Sequence, residues 1–199
     1  MSLSELWSLY GQNYIDALLA TWGMTLESFA IAMVLAVAVT VMRVSPLKPL
    51  RVFGDLYVQV FRNIPGIALL IIVVYALPPL KVVLPYRTCV IVATVLLGSA
   101  FGSENFMSGI NTVGVGQVEA ARSLGMSFSR ILAKIVIPQA LRSSVLPMTN
   151  LFIAVMLTTA LGSQVPLKPQ ELTGVVSYIN TRSLGGVAAF FISALGYLG

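Results

Sequence analysis

The stretch GINTVGVGQVEAARSLGMSFSRILAKIVIPQALR, Gly109 to Arg142, decides how this chain is read. It is too long and too rich in helix formers to be a simple linker. Gly114 and Gly116 break the chain and allow a sharp turn. Gln117 to Leu124 then predicts a short helix. Glu119 is expected in its first turn and Arg122 near its end, the two places where the helix dipole favours those charges. Gly125 follows at the position where helices commonly stop in a left-handed residue. Ser127 is expected to cap the next helix, and Pro138 to interrupt it. The result is a short surface helix, with Ala120 and Ala121 exposing little bulk. It either fits a groove on a partner or lies on the surface with no partner.

On both sides of this loop the chain is strongly apolar. Of its 199 residues 57% are hydrophobic and 10% charged, against roughly 25% charged in soluble domains. A soluble domain of this length cannot bury that much apolar surface, so lipid must cover part of it. Five stretches read as membrane helices: Thr21 to Met42, Asn63 to Leu80, Thr88 to Ser103 (extending to about residue 106), Ser143 to Leu167, and Ser183 to Gly199. Only helices or closed barrels satisfy their backbones in lipid, and these runs carry helical lengths. Residues 1–20 mix Trp7, Tyr10 and Tyr14 with polar residues, and predict a separate amphipathic helix at the interface. Gly98 and Gly102, four apart, allow two helices a close approach.

Eight of the twelve basic residues fall in two loops. Arg43, Lys48, Arg51 and Arg62 lie in the first, and Arg122, Arg130, Lys134 and Arg142 in the second. Lys81, Arg87, Lys168 and Arg182 lie on the other side. Positive loops stay inside, so the 109–142 loop is expected in the cytoplasm and the amino terminus outside. This placement explains the net charge of +5 without nucleic-acid binding. The chain has no histidine and one cysteine, Cys89. That removes His-based triads, dyads and metal sites, and no metal is expected. No phosphate-binding GxxxxGK[ST] run is present, so this chain is not expected to hydrolyse ATP itself. The start, MSLSELWSLY, is not basic and carries no cleavable leader pattern.

Glu119-Ala120-Ala121, then Gly125, then Ile135-Val136-Ile137-Pro138, resembles the EAA loop of ABC importer permeases. The family pattern is EAA, three residues, Gly, nine residues and I-x-L-P, with Ile137 here in place of Leu. Phe61-Arg62-Asn63-Ile64-Pro65 resembles the F-R-G/N-T-P run of polar amino-acid permeases. Glu104 to Ile110 resembles their A-E-x-x-R-G-G-I run, Pro138 to Arg142 their P-Q-A-L-R run, and Glu171 to Gly174 their P-E-L-T-G run. The resemblance extends from about Thr25 to the end and is nearest to glutamate-type uptake permeases of Gram-positive actinobacteria. It departs from the family at Met107, which replaces a basic residue and leaves Glu104 without its usual partner. It departs again at Leu157-Thr158-Thr159, where the family often has Lys-Asp/Asn-Thr. The family also continues into a basic tail beyond the fifth helix.

The resemblance implies an all-α membrane protein: a type I ABC importer permease core of about five transmembrane helices with a cytoplasmic coupling helix. It implies a bacterial plasma-membrane location and import of polar amino acids, glutamate- or glutamine-like or basic. Its expected partners are ABC ATPase subunits, a second permease subunit, identical or homologous, and an extracellular or periplasmic substrate-binding protein. ATP and Mg would sit on the ATPase, and this chain would carry no cofactor. Glu119, Ala120, Ala121, Arg122 and Gly125 are the expected coupling contact. Ser103, Glu104, Asn150, Thr158 and Thr159 are candidates for the substrate pathway, because polar groups inside membrane helices are costly and often functional. The alternative for them is interfacial placement or helix–helix hydrogen bonding. Arg62 and Pro65 set one end of the second helix, Arg62 by snorkelling or as a topology charge. Other solutes, an ion-coupled carrier, or a non-transporting scaffold are the competing functions.

Overall fold

The computed structural model describes residues 3–182 and 186–198. Among these residues the regular structure is helical, with no strand. The chain forms two compact units: residues 1–31, 64–96 and 153–199 make the first, and residues 32–63 and 97–152 the second.

Helix α1 runs unbroken from Leu3 to Arg43. The break expected near Thr21 is absent, because no proline or glycine pair interrupts the run. Packing also decides this. Leu6, Tyr14 and Ala17 are buried in a cluster with Leu172, Val175, Val176, Ile179 and Ala189. The Tyr14 hydroxyl donates to the Ala189 carbonyl at 3.0 Å. Residues 3–20 therefore dock on α8 (Leu172–Arg182) and α9 (Gly186–Leu198), while Trp7 remains exposed.

The amphipathic helix α2 (Lys48–Asn63) ends at the Ile64-Pro65 break. Pro65, extended at φ −58° and ψ 135°, opens α3 (Gly66–Ile71), which widens into a π turn at Ile72–Ala76. Helix α4 covers Tyr86–Asn111, longer than expected, and carries the Glu104–Ile110 run inside it. Within the second unit Gly102 is a close-approach position. A Cβ there would lie 2.9 Å from Ala36 Cβ and 3.0 Å from Met33 Cε.

After the loop come α5 (Val115–Ser123), α6 (Phe128–Ile131), a π turn at Leu132–Val136, and α7 (Ile137–Thr158) with a 3-10 turn at Thr159–Gln164. Pro138 does not interrupt this run, which stays helical over Phe128–Gln164. The π turn just before Pro138 absorbs the missing N–H and the ring clash that a regular turn would suffer.

Among the described residues, Ser4–Arg43, Tyr86–Asn111 and Phe128–Gln164 are each long and apolar enough to cross a membrane. Helix α9 is a shorter apolar helix of 13 residues. Ser183 and Gly199, the expected bounds of the last stretch, lie outside the described residues.

Candidate functional site

The loop helix α5 begins at Val115, two residues earlier than the sequence suggested, with Gly114 as its N-cap in an extended conformation. Gly116 is helical, and Glu119 falls in the second turn, beyond the strongest reach of the helix dipole. The end of the helix matches expectation. Gly125 has φ +75°, its N–H bonds to the Arg122 carbonyl at 2.9 Å, and Met126 N–H bonds to the Ala121 carbonyl at 3.1 Å. This pair of bonds is the Schellman closure, which needs a residue free to adopt the left-handed region. Ser127 occupies the N-cap position of α6 without a side-chain cap bond.

The two alanines do different things. Ala121 is buried with Val113, Ile131 and Val136, so it fastens the helix to its own unit. Glu119, Ala120, Arg122 and Leu124 face outward, and Leu124 is 83% exposed. Gln139 Nε2 donates to Gln117 Oε1 at 2.7 Å and ties α5 to α7. Sequence reading did not single out Gln117 or Gln139. Gln139 lies in the P-Q-A-L-R run, which was the available signal.

Still in the second unit, Arg43 joins three helices. Its Nε donates to Asp55 Oδ1 at 2.9 Å, and its Nη1 to Glu104 Oε2 at 3.0 Å and Ser103 Oγ at 3.3 Å. Thr40 Oγ1 also reaches Ser103 Oγ at 3.1 Å. Arg62 Nη1 stands 3.5 Å from the same Glu104 oxygen, with its guanidinium 5.3 Å from the Phe101 ring centre. Glu104 is therefore not left unpaired by Met107. Its cations come from α1 and α2 instead of the next turn of its own helix. Gly54 makes this seat possible, since a Cβ there would fall 2.8 Å from Arg43 Cγ. A cavity of about 350 Å³ opens on the cluster.

In the first unit Glu171 is fully buried, and sequence reading did not place it among the site residues. Its two carboxylate oxygens accept the Thr173 and Gly174 N–H groups, both at 2.6 Å, and the Tyr197 hydroxyl at 3.1 Å. Thr21 Oγ1 takes the Leu172 N–H at 3.1 Å, so the first N–H groups of α8 are satisfied by side chains. No cation pairs with Glu171 among the described residues. Burial raises its pKa above the ordinary carboxylate range, against the pull of the N–H and hydroxyl donors. The E-L-T-G run was the signal for it.

The remaining candidates do not join one constellation. Ser103 and Glu104 belong to the Arg43 cluster. Asn150 is exposed on α7. Thr158 Oγ1 donates to the Ala154 carbonyl and Thr159 Oγ1 to the Met156 carbonyl, both at 2.7 Å, as helix hydroxyls commonly do. No group of three or more metal-ligating side chains occurs among the described residues.

Apolar helices long enough to cross a membrane are joined here by a capped surface helix, and the fold is that of type I ABC importer permeases. It superimposes on a solved amino acid ABC transporter crystallised with histidines, with a TM-score of 0.91, 25% identity, and coverage of 100% of this chain and 91% of that one. The inward-facing methionine ABC transporter MetNI shares the fold, with a TM-score of 0.71 and 19% identity over 100% of this chain and 92% of that one. The chain belongs to the family of binding-protein-dependent transport system inner membrane components, whose model matches residues 28–198. It is a transport subunit and not an enzyme. The glutamate transport system permease protein GluC of Corynebacterium efficiens is 33% identical, over 98% of this chain and 91% of that protein. The probable glutamine ABC transporter permease protein GlnM of Bacillus subtilis is 35% identical, over 76% of this chain and 68% of that protein.

Proposed function

We propose that this chain is the amino-acid-conducting permease of an importer whose ATP is hydrolysed by a separate subunit seated on α5. The observation that carries this is the outward face of α5. The Schellman closure at Gly125 and the inward Ala121 fix the helix, leaving Glu119, Ala120, Arg122 and Leu124 open for a partner. An exposed leucine beside a small residue and two charges suits a groove with an apolar floor and a charged rim. ATP-driven dimerisation of the partner would then move the helix as a rigid body.

The cargo is a polar amino acid. The glutamate and glutamine permeases among the relatives support this class, as does the transporter crystallised with histidines. A second permease subunit and an external substrate-binding protein complete the assembly. The amino terminus lies outside, by the distribution of basic residues. Of the pathway candidates, Asn150 and Thr158 are the accessible ones besides Glu104, and they are assigned the pathway lining. Ser103 and Thr159, both buried, support their helices.

The test is co-purification from detergent with a candidate ABC ATPase, comparing wild type with Gly125→Trp. Retention by the wild type and loss by the variant, with amino-acid uptake lost in parallel, is the expected result. Equal retention and normal uptake by both would remove the coupling role. No ATPase with either protein would remove the ABC reading of the loop.

A further inference from the structure

The Arg43 cluster holds two guanidinium groups and two carboxylates, so its formal charge is zero. Its members are unequally committed. Arg43 is 12% exposed and bound to both acids at 2.9 and 3.0 Å. Arg62 is 39% exposed and reaches Glu104 only at 3.5 Å. Asp55 and Glu104 are 46% and 40% exposed. One carboxylate oxygen of each, Asp55 Oδ2 and Glu104 Oε1, takes no hydrogen bond among the described residues. All four charged groups line the cavity of about 350 Å³, together with Gln59 and Asn63. That volume is within the range of small-ligand pockets.

We infer that this cavity is a binding site for a zwitterionic amino acid of zero net charge with an amide side chain, such as glutamine. The loose Arg62–Glu104 contact is the weak link. A ligand carboxylate can take the Arg62 guanidinium, and a ligand ammonium can take the open oxygens of Asp55 and Glu104. The exchange replaces one long ion pair by two charge-assisted bonds and leaves the cavity neutral. An anion or a cation alone would leave one set of charges without compensation in a half-desolvated space. Gln59 and Asn63 offer both donors and acceptors to a side-chain amide. Phe101, under the Arg62 guanidinium, gives the cavity an apolar wall. The site lies at Arg43 and Arg62, among the basic residues that the topology argument places inside, so it would hold cargo at the exit end. This inference rests on the amino-acid reading of the cargo.

The test uses the purified permease–ATPase complex in detergent, without binding protein, and radiolabelled glutamine. Saturable binding is expected. Glutamate, the 2-oxo acid lacking the ammonium, and the amine lacking the carboxylate should each compete at least about tenfold less well. Arg62→Gln and Asp55→Asn should each weaken glutamine binding about tenfold or more while the complex still elutes intact. If either variant fails to assemble, the competition series on the wild type decides alone. Where glutamine binds, three results would overturn the site: unchanged binding in both variants, equal competition by all analogues, or displacement of glutamine only by glycerophosphoethanolamine, which would mark a lipid-headgroup site. Absence of glutamine binding in a preparation that imports a polar amino acid would sink the site and spare the transport reading. Absence of both import and binding would instead count against the transport reading on which the site depends.

Discussion

The two units keep charge inside an apolar chain by different means. In the first, Glu171 is fully buried and held by backbone N–H groups at the start of α8, with no cation beside it among the described residues. In the second, Asp55 and Glu104 stay about half exposed and are drawn together by Arg43. A helix N-terminus offers fixed donors and partial positive charge, and needs no long side chain to be ordered. An arginine hub needs several helices to arrive at once, and tolerates water around its acids. The first arrangement makes a rigid joint, and the second leaves a cavity whose bonds can be exchanged.

The largest effect that would sharpen this contrast is Glu171→Ala. It leaves the Thr173 and Gly174 N–H groups buried without acceptors, and should cost about 2–5 kcal/mol. Thermal unfolding in detergent should show the loss, and a near-neutral result would mean that water replaces the carboxylate. Arg43→Gln should cost about 2–3 kcal/mol, less than a fully buried pair would, because both acids can rehydrate. A larger loss than Glu171→Ala would invert the comparison.

The buried acid of the first unit should also make stability depend on pH. Burial raises the Glu171 pKa in the folded protein. The folded state therefore binds the proton more tightly than the unfolded chain. The stability that this gives is fully present below the unfolded pKa and is lost as pH rises through the raised folded value. Melting temperature should fall as pH rises from about 4 upward, and Glu171→Gln should flatten that slope. An unchanged slope in the variant would assign the effect to another group.

Smaller still is Gly125→Ala. It places a Cβ at φ +75° but meets nothing within 4 Å, so only backbone strain of about 1 kcal/mol is expected. The smallest effect is at the Arg87–Glu27 pair. Its atoms are 2.9 Å apart, but the side chains are 43% and 49% exposed. Glu27→Gln should cost under about 1 kcal/mol and less at high salt. A cost above that of Arg43→Gln would show that exposure is not what separates the two kinds of site.

Much of the surface helix was legible because its signals are local. Gly125 ends it, Arg122 lies in its last turn, and the EAA spacing marks the whole loop. The partners of Glu104 were not legible, because Arg43 and Arg62 are 61 and 42 residues away along the chain. Local spacing pointed to Met107 instead, one turn further along the same helix. Glu171 was hidden for the same reason. Its partner Tyr197 lies 26 residues on, and nothing in composition separates a buried acid from a loop acid.

By itself the sequence determined the apolar helices, the membrane setting and the capped loop helix. Each depends on composition or on residues within one turn of each other. Tertiary structure alone decided that α1 runs unbroken from Leu3, that the π turn carries the chain through Pro138, and that Ala121 points inward. It also decided that Arg43 gathers two acids and that α8 is capped by Glu171. These outcomes depend on which distant helices arrive to bury a face or supply a charge, and burial is a property of the assembled fold.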